Sequence, residues 1–296
     1  MKWFLTPSTV HLRDSLVERG AALGGWETVR FSDGERGYRL TEDVNGQAAT
    51  LLASVTPDPA SLFDLLALFR LLGENGSQTP SLVIPYLGYA RQDRPVRSGE
   101  GSLGVMVAEL VRNLQPAELR VLDVHSPRIL EALGPRAIEL SALPLFAEHL
   151  ARGEPIDVVV APDAGARRRA QALANRLVPQ AEVVVVEKTR PRPNVAVART
   201  IRGDVAGKRV VIVDDMIDTG GTICEAVRLV SEGGAGSIRV TATHGIFSAD
   251  AKERIARLPV SGTWVTNSLP QTLHERIRVL DVTPLLLCSE NPPIPL

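Results

Sequence analysis

Short apolar runs rich in Val, Ile and Leu recur along the chain, and several are apolar at consecutive positions. Such runs are typical of strands that are buried on both faces of a parallel sheet. The predicted strands cover residues 48–55, 82–87, 119–124, 156–161, 182–186, 209–213, 238–242, 263–265 and 277–280. Apolar residues at helical spacing predict helices over residues 60–72, 103–114, 165–177 and 222–232. This alternation predicts an α/β fold in which mostly parallel sheets are flanked by helices.

The length of the chain predicts two domains, because 296 residues is twice the roughly 150 residues of an ordinary domain. Pro144, Gly153 and Pro155 interrupt the pattern between residues 142 and 155. We therefore expect an N-terminal domain over residues 1–145 and a C-terminal domain over residues 146–296. The tail 291–296 contains three prolines and is expected to lie extended on the surface.

Composition and charge exclude several classes of protein. The chain has 33 Lys and Arg against 34 Asp and Glu, a net charge of −1, so no overall basic field predicts binding to nucleic acid or to an anionic membrane. Cys224 and Cys288 lie apart from any metal-ligand spacing, which favours reduced thiols. No apolar run approaches the roughly 20 residues of a membrane span. A soluble cytoplasmic protein is expected.

The most informative motif covers residues 210–222, where the predicted strand ends in Asp214 and Asp215 and a short turn leads into a helix. The turn consists of Asp218, Thr219, Gly220, Gly221 and Thr222. Its glycines let backbone N–H groups converge at a helix N-terminus, which makes a cradle for phosphate. The two carboxylates can accept hydrogen bonds from sugar hydroxyls or bind Mg²⁺. The alternative is an ordinary strand–turn–helix with an acidic cap. The stretch resembles the phosphoribosyl diphosphate (PRPP) signature of type I phosphoribosyltransferases and PRPP synthetases.

A second group of polar residues follows the strand predicted at 156–161. Asp163 and Gly165 lie in the loop, and arginines occupy all of positions 167–169 at the start of the next helix. Cations at a helix N-terminus oppose the helix dipole, so a bound polyanion would explain them. An exposed, arginine-rich helix start is the alternative.

A third group, Glu-Lys-Thr-Arg-Pro-Arg-Pro-Asn, covers residues 187–194. Its prolines exclude a helix and its basic side chains resist burial, so we expect a loop that moves. Lys188 and Arg190 in such a loop suit phosphoryl transfer, in which charge develops on phosphate oxygens. The alternative is a solvated linker.

Three smaller groups lie in the N-terminal half. Residues 31–35 form a predicted turn between two arginines, residues 86–94 combine tyrosines with polar groups as a nucleotide site would, and His125 ends a strand. Taken singly, a strand-end histidine is more often structural. Residues 99–104 fit the pattern G-x-G-x-x-G, but no strand directly precedes them, so a dinucleotide site is not predicted.

In this order, the groups resemble the ribose-phosphate pyrophosphokinase family from residue 31 to residue 286. The resemblance implies two type I phosphoribosyltransferase-like domains and Mg²⁺ as cofactor. It implies transfer of the β,γ-diphosphoryl group of ATP to the C1 hydroxyl of ribose 5-phosphate, which gives PRPP and AMP. It also implies a homo-oligomer, as a dimer or a multiple of dimers.

The resemblance assigns a role to each group by position. The catalytic loop pair is Lys188 and Arg190. ATP is bound by Arg91, Gln92, Asp93 and His125, and by Phe31, Asp33 and Glu35 from a neighbouring subunit. Ribose 5-phosphate is bound by Asp214, Asp215, Asp218, Thr219, Gly220, Gly221 and Thr222. The pyrophosphate loop is Asp163, Ala164, Gly165 and Ala166, and the magnesium-linked residues are His125 and Asp163.

Ala164, Ala166 and Thr189 depart from the common bacterial pattern, which leaves two alternatives open. A phosphoribosyltransferase that consumes PRPP needs only the C-terminal half and leaves residues 91–94 unexplained. A non-catalytic regulatory homologue is disfavoured because Lys188, Arg190 and Asp163 are retained.

Overall fold

The computed structural model describes residues 1–189 and 198–288, which form two compact units. The first unit contains Met1–Ser141 and the C-terminal segment from Val282, and the second contains Ala142–Asp281. The C-terminal segment returns to the first unit because the Arg120 guanidinium donates hydrogen bonds to the carbonyls of Leu286 (2.9 Å) and Cys288 (3.1 Å). The domains expected from sequence, 1–145 and 146–296, placed this C-terminal segment with the second domain.

The first unit is built on a parallel sheet with the strand order β2-β1-β5-β6-β7-β8. Its strands are β1 (Lys2–Leu5), β2 (Ala22–Leu23), β5 (Ala48–Leu52), β6 (Gln78–Ile84), β7 (Leu119–Leu122) and β8 (Ala137–Leu140). A separate antiparallel hairpin pairs β3 (Trp26–Arg30) with β4 (Arg36–Leu40). The helices are α1 (Arg13–Glu18), α2 (Pro59–Glu74), α3 (Leu103–Asn113), α4 (Pro127–Leu133) and α9 (Thr283–Leu287), with a 3₁₀ helix over Pro7–Leu12.

The core of this unit consists of continuously apolar strands and the apolar faces of helices. All four residues of β7 are buried, as expected where helices cover both faces of a parallel strand. Helix α2 buries Leu65, Leu68 and Leu72 on one face, which is the spacing of an amphipathic helix. Its first turn is capped by the Asp58 carboxylate, which accepts a hydrogen bond from the N–H of Ala60 (3.0 Å).

The second unit is built on a sheet with the strand order β11-β10-β9-β12-β13-β14-β15. Its strands are β9 (Val158–Ala161), β10 (Glu182–Thr189), β11 (Ala198–Arg202), β12 (Arg209–Ile217), β13 (Ser237–Gly245), β14 (Gly262–Thr266) and β15 (Ile277–Leu280). All pairs are parallel except β10 with β11, which are antiparallel. The helices are α5 (Leu143–Ala151), α6 (Arg167–Ala174), α7 (Gly221–Glu232) and α8 (Ala251–Ala256).

Two local expectations were wrong. Residues 187–189 are strand rather than loop, because they pair with residues 198–200 of β11 and so satisfy their backbone groups. Asp214 and Asp215 lie inside β12 and not at its end, because β13 continues beside it and pairs Met216 with His244. The stretch 142–155 contains helix α5, with Pro144 in its first turn. Arg190, the rest of that expected loop to residue 194, and the tail 291–296 lie outside the described residues.

Two further observations concern cysteine and membrane chemistry. Cys224, in α7, and Cys288 are both free thiols. Within residues 1–189 and 198–288, no helix has both the length and the apolar character that crossing a bilayer requires.

Candidate active site

The carboxyl ends of β9 and β12 meet at one edge of the sheet in the second unit. The two strands are hydrogen-bonded neighbours, with Val160 opposite Ile212. The loop 162–166 leaves the end of β9, and the turn 218–220 leaves the end of β12. The edge at which parallel strands end is where open α/β sheets bind their ligands.

The first component of the site is the acidic pair in β12. The N–H of Asp215 donates a hydrogen bond of 2.9 Å to the Asp214 carboxylate, and Asp215 is buried. Burial, and then the neighbouring charge of Asp215, raise the pKa of Asp214 well above its ordinary value, whereas the charge of Arg169 opposes this shift. Donors from a sugar or a divalent cation would offset the cost of holding these two charges.

The second component is the turn that leads into α7, which has the geometry of a phosphate cradle. Gly220 adopts a left-handed conformation with φ of 76°, and no side chain caps the first turn of the helix. A Cβ on Gly220 would lie 3.3 Å from the methyl group of Ile255, so glycine suits both the conformation and the space. With no acidic residue in its first turn, α7 presents backbone N–H groups to an anion.

The carbonyl groups of this turn are held by the segment that follows β13. The guanidinium of Arg254, in α8, donates a hydrogen bond to the carbonyl of Thr219, and the N–H of Ser248 donates to the carbonyl of Asp218 (3.1 Å). Arg254 also lies 3.3 Å from the Asp250 carboxylate. These bonds fix the backbone of the turn. Sequence reasoning missed Arg254, since no motif links it to the turn.

The third component is the loop after β9. The Asp163 carboxylate accepts hydrogen bonds from the N–H groups of Gly165 (2.9 Å) and Ala166 (3.2 Å). It therefore shapes the loop, and its expected link to magnesium stays a prediction. Helix α6 then begins with arginines at 167–169 and no side-chain cap. Among residues 1–189 and 198–288, no group of three or more His, Cys, Asp or Glu side chains is arranged to hold a metal.

The expected catalytic pair is only partly described. Lys188 lies in β10, where its backbone pairs with that of Arg199 in β11. Arg190 lies outside the described residues.

In the first unit, the expected turn at residues 31–35 is the tip of the β3–β4 hairpin. The N–H of Gly34 donates to the carbonyl of Phe31 (3.0 Å), and the Asp33 carboxylate accepts from the N–H of Glu35 (3.0 Å). The Phe31 ring is 54% exposed.

The remaining expected ATP-binding residues follow β6 and β7, which are neighbours in the sheet. Their carboxyl ends therefore share one edge of the first unit. Arg91, Gln92 and His125 are exposed at this edge, and Asp93 is half-buried.

The two tyrosines of this segment contact the rest of the first unit. Tyr86 is buried, and the hydroxyl of Tyr89 donates to the carbonyl of Pro57 (3.1 Å). Both rings hold the segment in place. Residues 99–104 lead into α3 well after β6 has ended at Ile84, so they lack the strand that a dinucleotide motif requires.

A parallel sheet in which an acidic strand runs into a glycine-rich phosphate turn and a helix defines the phosphoribosyltransferase class of fold, and sequence comparison agrees. The family model for the phosphoribosyl transferase domain matches residues 136–267. The model for the N-terminal domain of ribose phosphate pyrophosphokinase matches residues 2–114.

Curated relatives extend the match over nearly the whole chain. The ribose-phosphate pyrophosphokinase of Bacillus caldolyticus is 35% identical over 292 residues, covering 97% of this chain and 92% of the relative. The enzyme of Bacillus subtilis is 36% identical over 274 residues, covering 90% of this chain and 85% of the relative. The crystal structure of phosphoribosylpyrophosphate synthetase from Mycobacterium smegmatis superposes with a TM-score of 0.86 at 30% identity, covering 96% of this chain and 95% of that one.

The chain therefore belongs to the ribose-phosphate pyrophosphokinase family and is an enzyme of that kind. The fold class and the family resemblance predicted from sequence are confirmed.

Proposed function

We propose that this enzyme transfers the β,γ-diphosphoryl group of ATP to the C1 hydroxyl of ribose 5-phosphate, giving PRPP and AMP. The observation that carries the proposal is the acidic pair that runs directly into an uncapped phosphate cradle. Relatives that match 97% of the chain are named for this reaction.

The acceptor, ribose 5-phosphate, is assigned to the end of β12. Its phosphate would lie on the backbone N–H groups of residues 218–222, and the ribose hydroxyls would donate to Asp214 and Asp215. A hydroxyl that donates to Asp214 stabilises its charged form and offsets the desolvation that raises its pKa. The sugar would thus be held at both ends, which positions its C1 hydroxyl.

The donor, ATP, is assigned to two sets of residues. The outer phosphates would meet the loop 163–166 and the arginines 167–169, which have no acidic neighbour in their own helical turn. Arg91, Gln92, Asp93 and His125, and the hairpin residues Phe31, Asp33 and Glu35 from another copy of the chain, would bind the rest of the nucleotide.

The reaction itself requires no covalent bond to the protein. The oxygen of the C1 hydroxyl attacks the β-phosphorus and its proton passes to solvent, while the bond between that phosphorus and the oxygen bridging to the α-phosphate breaks. Lys188 and Arg190 would stabilise the negative charge that grows on the phosphate oxygens in the transition state. AMP leaves with the electron pair of the broken bond.

The residues present fit a magnesium ion that is shared with substrate. Mg²⁺ is commonly bound by one or two carboxylates together with substrate phosphates and water, and Asp214 with Asp215 supplies such a pair. His125 and Asp163 remain proposed magnesium-linked residues. When bound, the ion neutralises phosphate charge and polarises the phosphoryl oxygens.

The experiment that tests this function follows the fate of the γ-phosphate. ATP labelled at the γ-phosphorus should pass its label into PRPP, and AMP should form in equal amount when ribose 5-phosphate is present. Formation of ADP in equal amount would contradict the proposal, because it marks attack on the γ-phosphorus. Consumption of PRPP only when a nucleobase is added, without need for ATP, would indicate a phosphoribosyltransferase instead.

A further inference from the structure

The β3–β4 hairpin is tied to helix α2 by a buried polar contact outside the candidate active site. The Tyr38 hydroxyl, in β4, donates a hydrogen bond to the Asp64 carboxylate, in α2. The Arg36 guanidinium, two residues earlier in β4, lies 3.6 Å from the same carboxylate. We call these three side chains the hairpin anchor.

Strand geometry explains why one face of the hairpin meets the helix. Residues two apart in a strand share a face, and so do cross-strand partners. Because Trp26 pairs with Leu40, Trp26 lies on the same face as Tyr38 and Arg36. The Tyr38 ring lies 5.9 Å from the Trp26 ring and 6.2 Å from the Phe63 ring of α2. Tyr38 therefore lies between the hairpin and the helix.

The buried charge of Asp64 strengthens this contact. The side chain of Asp64 is 7% exposed, and a buried carboxylate is costly unless it has partners. Within the parts of the chain that the structure describes, both of its side-chain partners, Tyr38 and Arg36, belong to β4. Movement of the hairpin away from α2 would leave the carboxylate buried without them, so its charge opposes such movement.

The Tyr38 hydroxyl keeps its proton at neutral pH. Burial first, and then the hydrogen bond to Asp64 and the charge of that carboxylate, raise the pKa of Tyr38 to about 12, whereas the charge of Arg36 opposes the shift. Only a protonated hydroxyl can donate to a carboxylate, which is an acceptor alone. The hydrogen bond is therefore retained throughout the neutral range of pH.

The position of β4 also sets the direction of the Phe31 ring at the hairpin tip. That ring lies over Gly37, the residue before Tyr38, where an added Cβ would come within 3.0 Å of the ring. Glu35, at the other side of the turn, precedes Tyr38 by three residues, which is roughly 10 Å of extended strand. A shift of Tyr38 relative to α2 would therefore displace the residues at the tip.

We propose that Tyr38 and Asp64 are positioning residues for ATP, because they hold the hairpin on α2 so that its tip meets the nucleotide in one fixed orientation. This inference rests on the proposed role of Phe31, Asp33 and Glu35 in binding ATP. A hairpin that is fixed before binding loses little conformational freedom when ATP binds. A loose hairpin binds more weakly, in proportion to the fraction of molecules in which it is misplaced.

Tyr38→Phe tests this role, because it removes the hydroxyl and keeps the ring. We expect the KM for ATP to rise about tenfold, as loss of a hydrogen bond to a charged group allows. Both kcat and the KM for ribose 5-phosphate should stay within about twofold, because the reacting groups are unchanged. Steady-state rates of AMP formation by the full-length enzyme give all three constants.

Substitutions of Asp64 identify the bond responsible. Asp64→Leu should raise the KM for ATP at least as much as Tyr38→Phe, and adding Tyr38→Phe to it should have no further effect, because the acceptor is already absent. Asp64→Asn keeps an oxygen that can accept from the hydroxyl, so it should raise the KM for ATP less than Asp64→Leu.

The matched control is Arg39→Gln, which removes an ion pair from the same hairpin. Arg39 pairs with Glu27 across the two strands, and both side chains are exposed. Arg39 is adjacent to Tyr38 in β4, so its side chain lies on the other face of the hairpin. Exposed ion pairs contribute little to stability, and both KM values should stay unchanged.

Hydrogen exchange without ligands tests the anchor independently of the reaction. The amides of residues 26–40 should exchange faster in Tyr38→Phe than in the wild type or in Arg39→Gln, while those of α2 stay protected. Unchanged exchange would overturn the proposal. So would an unchanged KM for ATP in Tyr38→Phe, or an equal rise in both KM values, in an enzyme that forms AMP. Failure of the proposed function is distinct, because the wild type itself would then form no AMP.

Discussion

The carboxylates of Asp214 and Asp215 are adjacent in a strand that is otherwise apolar, and their proximity has a consequence for stability. Burial and the charge of Asp215 raise the folded-state pKa of Asp214 above the ordinary 3.8. A carboxyl group whose pKa is raised by folding stabilises the folded state fully at pH values below its ordinary pKa. This contribution to stability is lost as the pH rises through the raised pKa. In the absence of ligands, Asp214 therefore weakens the fold at neutral pH.

Asp214→Asn should accordingly raise the melting temperature relative to the wild type at pH 7.5 and raise it less at pH 4.5. Scanning calorimetry without ligands measures both differences. Asp204→Asn is the opposite control, because the Ala206 N–H first and then Lys208 lower the pKa of Asp204, and its loss should not stabilise the protein. A lower melting temperature for Asp214→Asn at pH 7.5 would indicate that its carboxylate is structural.

Lys188 is expected to act mainly in the transition state. Lys188→Ala should reduce kcat by roughly three orders of magnitude while the KM for ribose 5-phosphate stays within a few-fold, as expected for loss of a group that stabilises developing charge. Steady-state kinetics measures both constants. Lys208→Ala is the control, since Lys208 pairs with Glu182 on the surface and should leave kcat unchanged. A Lys188→Ala enzyme that retains more than about a tenth of the rate would remove this residue from catalysis.

At the scale of elements, the phosphate cradle depends on helix α8 as well as on α7. Arg254→Ala removes the donor to the Thr219 carbonyl and should raise the KM for ribose 5-phosphate about tenfold, as loss of a charged hydrogen bond does. The KM for ATP should stay unchanged, and Arg254→Lys should restore part of the loss. Arg257→Ala, at the exposed end of the same helix, is the control. Equal increases in both KM values would indicate a general disturbance of the fold instead.

The elements predicted correctly from sequence are those whose buried residues follow a regular apolar spacing. Helices α2, α3 and α7 and the central strands agree with their apolar spacing. The β3–β4 hairpin was recognised only as a turn at residues 31–35, because its strands are largely exposed and carry little hydrophobic signal. Strand β10 is longer than expected because β11, the next strand in the chain, supplies its antiparallel partner.

Site residues that are adjacent in the sequence were predicted, and those brought together only by tertiary structure were missed. Asp214, Asp215 and the turn 218–222 are contiguous, so one motif contains their chemistry. Arg254 acts through a carbonyl in another element, and the N–H of Ser248, far from the motif in sequence, donates to the carbonyl of Asp218. Contacts of this kind depend on tertiary structure, and no single stretch of sequence contains them.

At the scale of the whole molecule, a net charge of −1 conceals two local concentrations of positive charge in the second unit. Arginines 167–169 begin α6 near the carboxyl ends of the strands, and Arg152, Arg239 and Arg278 line a cavity of about 290 Å³ near their amino ends. The net charge of the chain could not indicate local sites that strand order creates.

Phe31, displayed at the tip of the β3–β4 hairpin, is the feature through which the proposed oligomer can be tested. We expect this hairpin to complete the ATP site of a neighbouring copy, so a Phe31→Ala variant and a Lys188→Ala variant should each be nearly inactive alone. In a mixed dimer, the subunit with an intact Lys188 receives an intact hairpin from its partner and regains a complete site. Random reassociation of equal amounts should therefore restore about one quarter of wild-type activity, since about half of the dimers are mixed and each has one good site.

The measurement is AMP formation after the two variants are unfolded and refolded together, compared with each variant refolded alone. Asp43→Asn, at an exposed turn outside the hairpin, replaces Phe31→Ala in a control mixture, whose activity should come from its own unimpaired subunits and gain nothing from the partner. Activity in the Phe31→Ala mixture that does not exceed the sum of the separate variants would show that the hairpin acts within its own chain. Recovery would require an exchanged hairpin, because no rearrangement within one chain can return Phe31 to a subunit that lacks it.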